Sequence, residues 1–339
     1  MTFVATHVDD RPLWDIMMAA YHMPTLTVAD EIGFFSRLAS GPLSVEAMAG
    51  ALDVPLRSIE AIADVLVTLG LCRLWDERLH LTPLARTCLL PDSPRYWGPM
   101  LLLWRTTTID HARLLGAVRQ GGGALPQQGT EDLWAVHSEN MEKARYFTAA
   151  MNAHSLLPAQ AVARSGEFAS TRRLLDVGGG SGCFATAIAR ANPAMRATIM
   201  DIPAVCPIAE DYIRDAGLAD RVNAQSGDMF SADWPQGYDA IFFSNIFHDW
   251  NPDQCRVLAR NAYAALPSGG RIHLNEMVKA DGEGGPLAVA CYSVDMLLYT
   301  EGRQYRGREI QAILEEAGFA DIRFAPVSGY FWLISATRP

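Results

Sequence analysis

The sequence predicts an α/β fold: a Rossmann-like, mostly parallel sheet with an antiparallel closing strand, preceded by an all-α, winged-helix-like domain. Three observations carry this expectation. The second half alternates short apolar runs with helical segments, the pattern of a parallel sheet covered on both faces. Within it, Leu174-Leu-Asp-Val-Gly-Gly-Gly-Ser-Gly182 reads as a strand, an acid at its end and a glycine turn opening a helix. The first half is nearly all helix, interrupted by two short strands around Asp76-Glu77. The boundary is expected near 165/166, giving a helical domain over 1–165 and a Rossmann-like domain over 166–339.

Taken in order, Trp14–His22 and Thr27–Ala39 are apolar on one side. Ser44–Leu52 opens with an N-cap residue and carries Glu46 in its first turn. Pro55–Leu69 sets Ile59, Ile62, Leu66 and Leu69 on one face before Gly70 stops it. Leu71–Trp75 and Arg78–Leu81 then form a hairpin, so the outline is a winged helix. Gly121-Gly-Gly123, with Pro126 and Gly129, predicts a mobile loop. Met141–Leu157 is a long helix carrying Tyr146, Phe147, Met151 and His154, and Ser165–Ser170 reads as the linker. Expected strands are Arg173–Val177, Arg196–Asp201, Val222–Gln225, Ala240–Ser244 and Ile272–Glu276. Between them lie helices Cys183–Ala191, Ala204–Ala216 and Pro252–Leu266, and Ile322–Pro326 with Tyr330–Ala336 closes the sheet.

Composition bounds the function. The 339 residues are 50% hydrophobic and 19% charged, which fits a soluble globular chain. A net charge of −10 disfavours nucleic acid as a partner, because phosphate contacts need a basic face. The would-be recognition helix offers Arg57 alone against Glu60 and Asp64, so the winged helix reads as a packing module. Its apolar helices predict a homodimer. The first ten residues lack the cationic start of a secretory signal, and no apolar run approaches the roughly 20 residues of a membrane span. None of the six cysteines forms a C-x-x-C pair, which points to reducing cytoplasm and against a zinc site. His248 and His273 lie on or near adjacent strands, but they form no coordination motif, so no metal is expected.

The chemistry is expected at the carboxyl ends of the strands, where ligands bind in such sheets. Gly178 and Gly180 begin a dinucleotide fingerprint, but its third glycine position is Cys183, and no Gly-Lys-Ser/Thr of a phosphate loop is present. Asp176 crowds the turn, which suits a ligand with a cationic end and points to S-adenosylmethionine. A bare glycine run also fits a plain tight turn. Asp201, 21 residues after Gly180, is placed to accept ribose hydroxyls, or else to cap the helix after Pro203. Asp228 suits an exocyclic amine and Met229 a purine face. His248 lies past a strand end, followed by Asp249, and Glu276 ends the next strand where it can orient the imidazole.

Asp176-Val-Gly-Gly-Gly-Ser-Gly182, Met200-Asp-Ile-Pro203, Gly227-Asp-Met-Phe230, His248-Asp-Trp250 and Ala264-Ala-Leu-Pro267 occur together in this order. With them the whole chain resembles the S-adenosylmethionine-dependent O-methyltransferases typified by plant caffeic acid and isoflavone methyltransferases, with bacterial members in secondary metabolism. The resemblance implies that Asp176, Gly178, Gly180 and Gly182 hold the methionine end of the cofactor. Asp201, with Ile202 beside it, takes the ribose, while Asp228 and Met229 frame the adenine. His248 is implied as general base, Glu276 as its orienting carboxylate and Asp249 as a positioning acid. Two positions depart from the plant pattern: Gln304 replaces a second orienting glutamate, and Ser244 replaces a lysine near the cofactor carboxylate. An ordinary histidine facing a phenol would transfer the proton uphill by about 3.5 pK units, near 5 kcal/mol. The substrate pocket is expected between the halves, lined by Met141–Leu157 and Tyr292–Tyr299, with Met151, Met296 and Tyr299 as its candidate contacts. The leading expectation is O-methylation of a small aromatic or polyketide-like molecule. Nitrogen or carbon methylation, or use of the cofactor without methyl transfer, are the alternatives.

Overall fold

A computed structural model describes residues 8–107, 109–122, 140–282 and 284–339. The chain divides into two compact units, 1–108 and 109–339.

The first unit contains α1 (Arg11–Ala19), α2 (His22–Glu31), α3 (Phe34–Ala39), α4 (Val45–Leu52), α5 (Leu56–Thr68), the strands β1 (Cys72–Trp75) and β2 (Arg78–Leu81), then α6 (Pro83–Cys88) and α7 (Gly98–Thr106). The segment expected as one helix over Thr27–Ala39 is two. Gly33 between them takes a left-handed φ of 78°, which costs glycine little and redirects the chain. Ser44 caps α4 as expected, accepting from the Ala47 N–H at 3.2 Å. Helix α5 buries Ile59, Ala63 and Leu66, while Leu69 ends exposed just past its last turn. β1 and β2 pair antiparallel, with Asp76 and Glu77 at φ of 50° and 54° in the connecting turn. Phe34, Phe35, Leu38, Met48, Ile59, Leu66 and Leu79 fill this unit's core.

The second unit opens with α8 (His111–Gln120) and α9 (Met141–Ala163). Gly121 ends α8, and the rest of the loop expected beyond it lies largely outside the described residues. Then follow β3 (Arg173–Val177), α10 (Cys183–Ala191), β4 (Arg196–Asp201), α11 (Cys206–Asp215), β5 (Val222–Ser226), β6 (Ala240–Ser244), a 3₁₀ turn (Phe247–Asp249), α12 (Pro252–Ala265), β7 (Arg271–Met277), α13 (Leu287–Tyr299), α14 (Gly307–Glu316), β8 (Ala320–Ser328) and β9 (Phe331–Thr337). The compact division therefore falls at 108/109 and not at the Ser165–Ser170 segment. The reason is packing: α9 lies along α10 and β8, and Phe168 is buried between the rings of Phe242 and His273.

The seven strands run in the order β5-β4-β3-β6-β7-β9-β8. The first five are parallel, and β9 pairs antiparallel with β7 and β8. Strand alternation splits the core in two. Leu175, Val177, Ile241, Phe243, Ile272 and Leu274 pack with α12 and α14, while Leu174 and Phe242 pack with α9 and α10. Each fully buried side chain of this size contributes roughly 1.5–3 kcal/mol. The strand order reverses between β3 and β6, so the crevice at their carboxyl ends is the topological switch point. Among the described residues no helix is long and apolar enough to cross a membrane.

Candidate active site

The glycine turn after β3 needs backbone that only glycine adopts readily and packs closely on neighbouring side chains. Gly178, Gly180 and Gly182 all have left-handed φ, at 65°, 56° and 73°. A Cβ on Gly178 would run into Ile246 Cδ1, and one on Gly182 into Ile199 Cδ1. Asp201 at the end of β4 fixes the loop from below. Its Oδ2 accepts from the Gly180 N–H at 2.8 Å, and its Oδ1 from the Ile202 N–H at 2.7 Å. Burial nevertheless raises Asp201 to about 6. Asp176 is more exposed to that cost. It is 1% accessible, and its Oδ2 has no hydrogen-bond partner among the described residues. Burial pushes it up to about 7; the Ala185 N–H opposes this, and nearby Asp201 adds to it. A buried acid with an unsatisfied oxygen lacks a cation, a place that a cationic ligand end could fill.

The other predicted residues follow neighbouring strand ends. Ser244 closes β6, and its hydroxyl accepts from Asn275 Nδ2 at 3.1 Å. Asp228 stands exposed two residues past β5, accepting from the Phe230 N–H at 2.8 Å. Met229 packs against the core, and its carbonyl takes Trp234 Nε1 and Asn261 Nδ2, both at 3.1 Å.

His248 sits in the 3₁₀ turn beyond β6 and is almost fully buried. Its Nδ1 lies 3.0 Å from Glu276 Oε2, and its Nε2 lies 3.4 Å from Asp249 Oδ1. At that separation the carboxylate pairs with the ring charge and favours a proton on Nδ1. The second oxygen of Glu276 anchors the turn itself, accepting from the Ile246 and Phe247 N–H groups at 3.0 and 2.9 Å. One carboxylate thus fixes both the backbone and the ring. Burial alone would lower His248, but Glu276 and Asp249, with Asp295, outweigh it and hold the imidazole at about 9. Asp249 is in turn raised to about 7 by burial, against the pull of His248.

Residues 111–320, more than half of the chain, match the O-methyltransferase domain family. The chain belongs to that family. It is 32% identical to a 3-hydroxy-5-methyl-1-naphthoate 3-O-methyltransferase of Streptomyces sahachiroi, over 92% of this chain and 90% of the relative. It is 28% identical to the N,N-dimethyltransferase OxyT of Streptomyces rimosus, over 97% of this chain and 96% of that protein. Its fold matches a crystal structure of human N-acetylserotonin methyltransferase in complex with S-adenosylmethionine, with a TM-score of 0.83 and 25% identity, covering 100% of this chain and 99% of that one.

The neighbourhood of His248 also contains groups the sequence reading did not single out. Tyr292 of α13 packs edge-on to His248, with ring centroids 5.1 Å apart. Asp295, one turn on, is raised to about 6 by burial while His248 pulls it down. Met296 is buried and Tyr299 half-buried on the same helix, and Met151 is half-buried on α9. Both helices belong to the second unit. Asn152 of α9 accepts from Ser181 Oγ at 2.8 Å, tying that helix to the glycine turn. Asn245 adopts a φ of 54°, and its buried Oδ1 has no partner among the described residues. A spacing signal existed for Tyr292, Met296 and Tyr299, which share one helical face. Nothing local marked Asn152 or Asn245.

Proposed function

We propose that this S-adenosylmethionine-dependent methyltransferase methylates a hydroxyl group of a small aromatic or polyketide-like molecule, with His248 as general base. The observation that carries the reading is the buried His248, its Nδ1 held 3.0 Å from Glu276 and its Nε2 only loosely met by Asp249 at 3.4 Å, longer than a normal hydrogen bond. The naphthoate O-methyltransferase relative supports an aromatic hydroxyl. When bound, the cofactor supplies a methyl group activated on a sulfonium.

The chain's own residues account for the rest. Asp176 and the turn Gly178–Gly182 hold the methionine end, where the unpaired carboxyl oxygen meets positive charge. Asp201, with Ile202, faces the ribose, Asp228 and Met229 frame the adenine, and Ser244 offers a neutral donor to the carboxylate end. Met151, Met296 and Tyr299 line the acceptor pocket. Glu276 orients His248, and Asp249 positions the ring from its other side. The acceptor proton moves to Nε2. With His248 at about 9, transfer from a phenol near 10 is uphill by about one pK unit, or roughly 1.4 kcal/mol. That improves on the near 5 kcal/mol expected for an ordinary histidine. The cost shifts to neutral pH, where the base form must first be made. Positioning oxygen and methyl carbon in line supplies the remainder.

We also read the protein as a cytoplasmic homodimer. Its six cysteines are free, and helix α1 buries no residue while exposing Leu13, Ile16 and Met17. Nitrogen methylation is the second reading, favoured by the OxyT relative and by Gln304 and Ser244 in place of charged groups. Methyl-¹³C-labelled cofactor distinguishes them: the product should carry an O-methyl resonance, and an N- or C-methyl product would overturn the hydroxyl assignment.

A further inference from the structure

Three buried polar atoms flank His248 with nothing to bond. Nε2 and Oε1 of Gln304 and Nδ1 of His154 have no hydrogen-bond partner among the described residues. Gln304 is 2% accessible. Leaving a buried amide unpaired on both sides is among the costlier defects a fold can hold, and folds keep such groups where a ligand completes them.

Both residues lie close to His248. Gln304 lies two residues past Gly302, where a Cβ would run into the His248 carbonyl. The Gln304 N–H donates to Ser293 Oγ at 3.2 Å, and Ser293 adjoins Tyr292, whose ring meets His248. His154 stands one helical turn beyond Met151 on α9. Burial chiefly, with the charge of His248, lowers it to about 4, while the Met151 carbonyl opposes this. It is therefore a neutral imidazole with one donor and one acceptor nitrogen. The charged groups acting on His248 are all acids: Glu276, Asp249 and Asp295.

We propose that His154 and Gln304 recognise a second, neutral oxygen of the acceptor, adjacent to the hydroxyl that His248 deprotonates. The preferred acceptors are then aromatics with ortho or peri hydroxy-carbonyl or dihydroxy groups. This rests on the hydroxyl-methylation reading. A carbonyl or hydroxyl matches the donor and acceptor atoms left open. A carboxylate in that place would be a fourth acid around one cationic imidazole, so hydroxy acids are disfavoured. A lone phenol leaves the amide unpaired, and sites built to hydrogen-bond an oxygen reject analogues lacking it.

The test is equilibrium binding with S-adenosylhomocysteine present. The probes are 1-hydroxy-2-acetylnaphthalene, its isostere with the carbonyl replaced by C=CH₂, and 1-hydroxy-2-naphthoate. The wild type should bind the ketone at least about tenfold more tightly than either other compound. That preference should fall below about threefold in His154→Leu and in Gln304→Leu, with S-adenosylhomocysteine affinity unchanged, and return in His154→Gln. Equal affinity for ketone and isostere in the wild type, or no binding of either, overturns the inference without need of any variant. Methyl transfer is measured separately. Loss of transfer to every hydroxyl would defeat the functional reading while leaving the binding preference standing.

Discussion

Replacing Glu276 with glutamine separates the charge of this residue from its shape. Oε1 of Glu276 accepts from Ile246 and Phe247, and a glutamine carbonyl can keep both bonds. The amide nitrogen then stands where Oε2 faced His248 Nδ1 at 3.0 Å. It donates to Nδ1, so the ring must carry its own proton on Nε2, the nitrogen that meets the acceptor. A neutral amide in place of the orienting carboxylate of a catalytic histidine can cost about 10⁴ in turnover through the same wrong tautomer. A kcat loss between about 10² and 10⁴ is expected here. The pH dependence gives a second readout. In the wild type, with His248 at about 9, only about 1% of the base is neutral at pH 7. kcat/KM should climb nearly tenfold per pH unit toward pH 9 and level above it. Because the folded value exceeds the ordinary 6.5, the ion pair stabilises fully below about 6.5 and is lost as pH rises through 9. Removing Glu276 removes the leading cause that raises His248, so the break in the profile moves below 9. The assay is initial-rate methyl transfer from pH 6 to 10, with melting curves to confirm folding. A folded variant with kcat within threefold of wild type and an unmoved break would refute the reasoning.

Asp176→Asn should raise the melting temperature of the cofactor-free protein at pH 8, because a carboxyl whose folded value is raised from 3.8 to about 7 destabilises the fold once ionised. The rise corresponds to on the order of 4 kcal/mol as an upper bound, and the same change should abolish the stabilisation that added S-adenosylmethionine gives in a thermal-shift titration. Gly182→Ala should cost about 1–3 kcal/mol and weaken cofactor binding, since φ is 73° and the new methyl meets Ile199; calorimetry at matched temperature reads both. Sedimentation equilibrium at micromolar concentration should give two chains per particle, and Leu13→Glu with Ile16→Glu on α1 should give one; a wild-type monomer removes the dimer from the account.

The parallel sheet and its closing pair were legible because they depend on local pattern. Continuous apolar runs, buried on both faces, ended where β3, β4 and β6 end, and His248 and Glu276 met because adjacent parallel strands align their carboxyl ends. Other features depended on packing that no local pattern encodes. The long helix α9 was visible, but its docking on α10, which places it in the second unit, was not. The break at Gly33 was hidden inside one continuous apolar stripe. The raised state of His248 needs three acids from β7, the 3₁₀ turn and α13, and only two of them were recognisable. Gln304 was read as a weaker orienting group, whereas its amide faces no protein partner among the described residues.

The central claim is that His248 takes the acceptor's proton. The most direct measurement is His248→Ala, assayed on one acceptor for turnover and by calorimetry for S-adenosylmethionine binding. The account predicts unchanged cofactor affinity with turnover reduced by about 100-fold or more. Turnover close to wild type in a variant that still binds cofactor would contradict it.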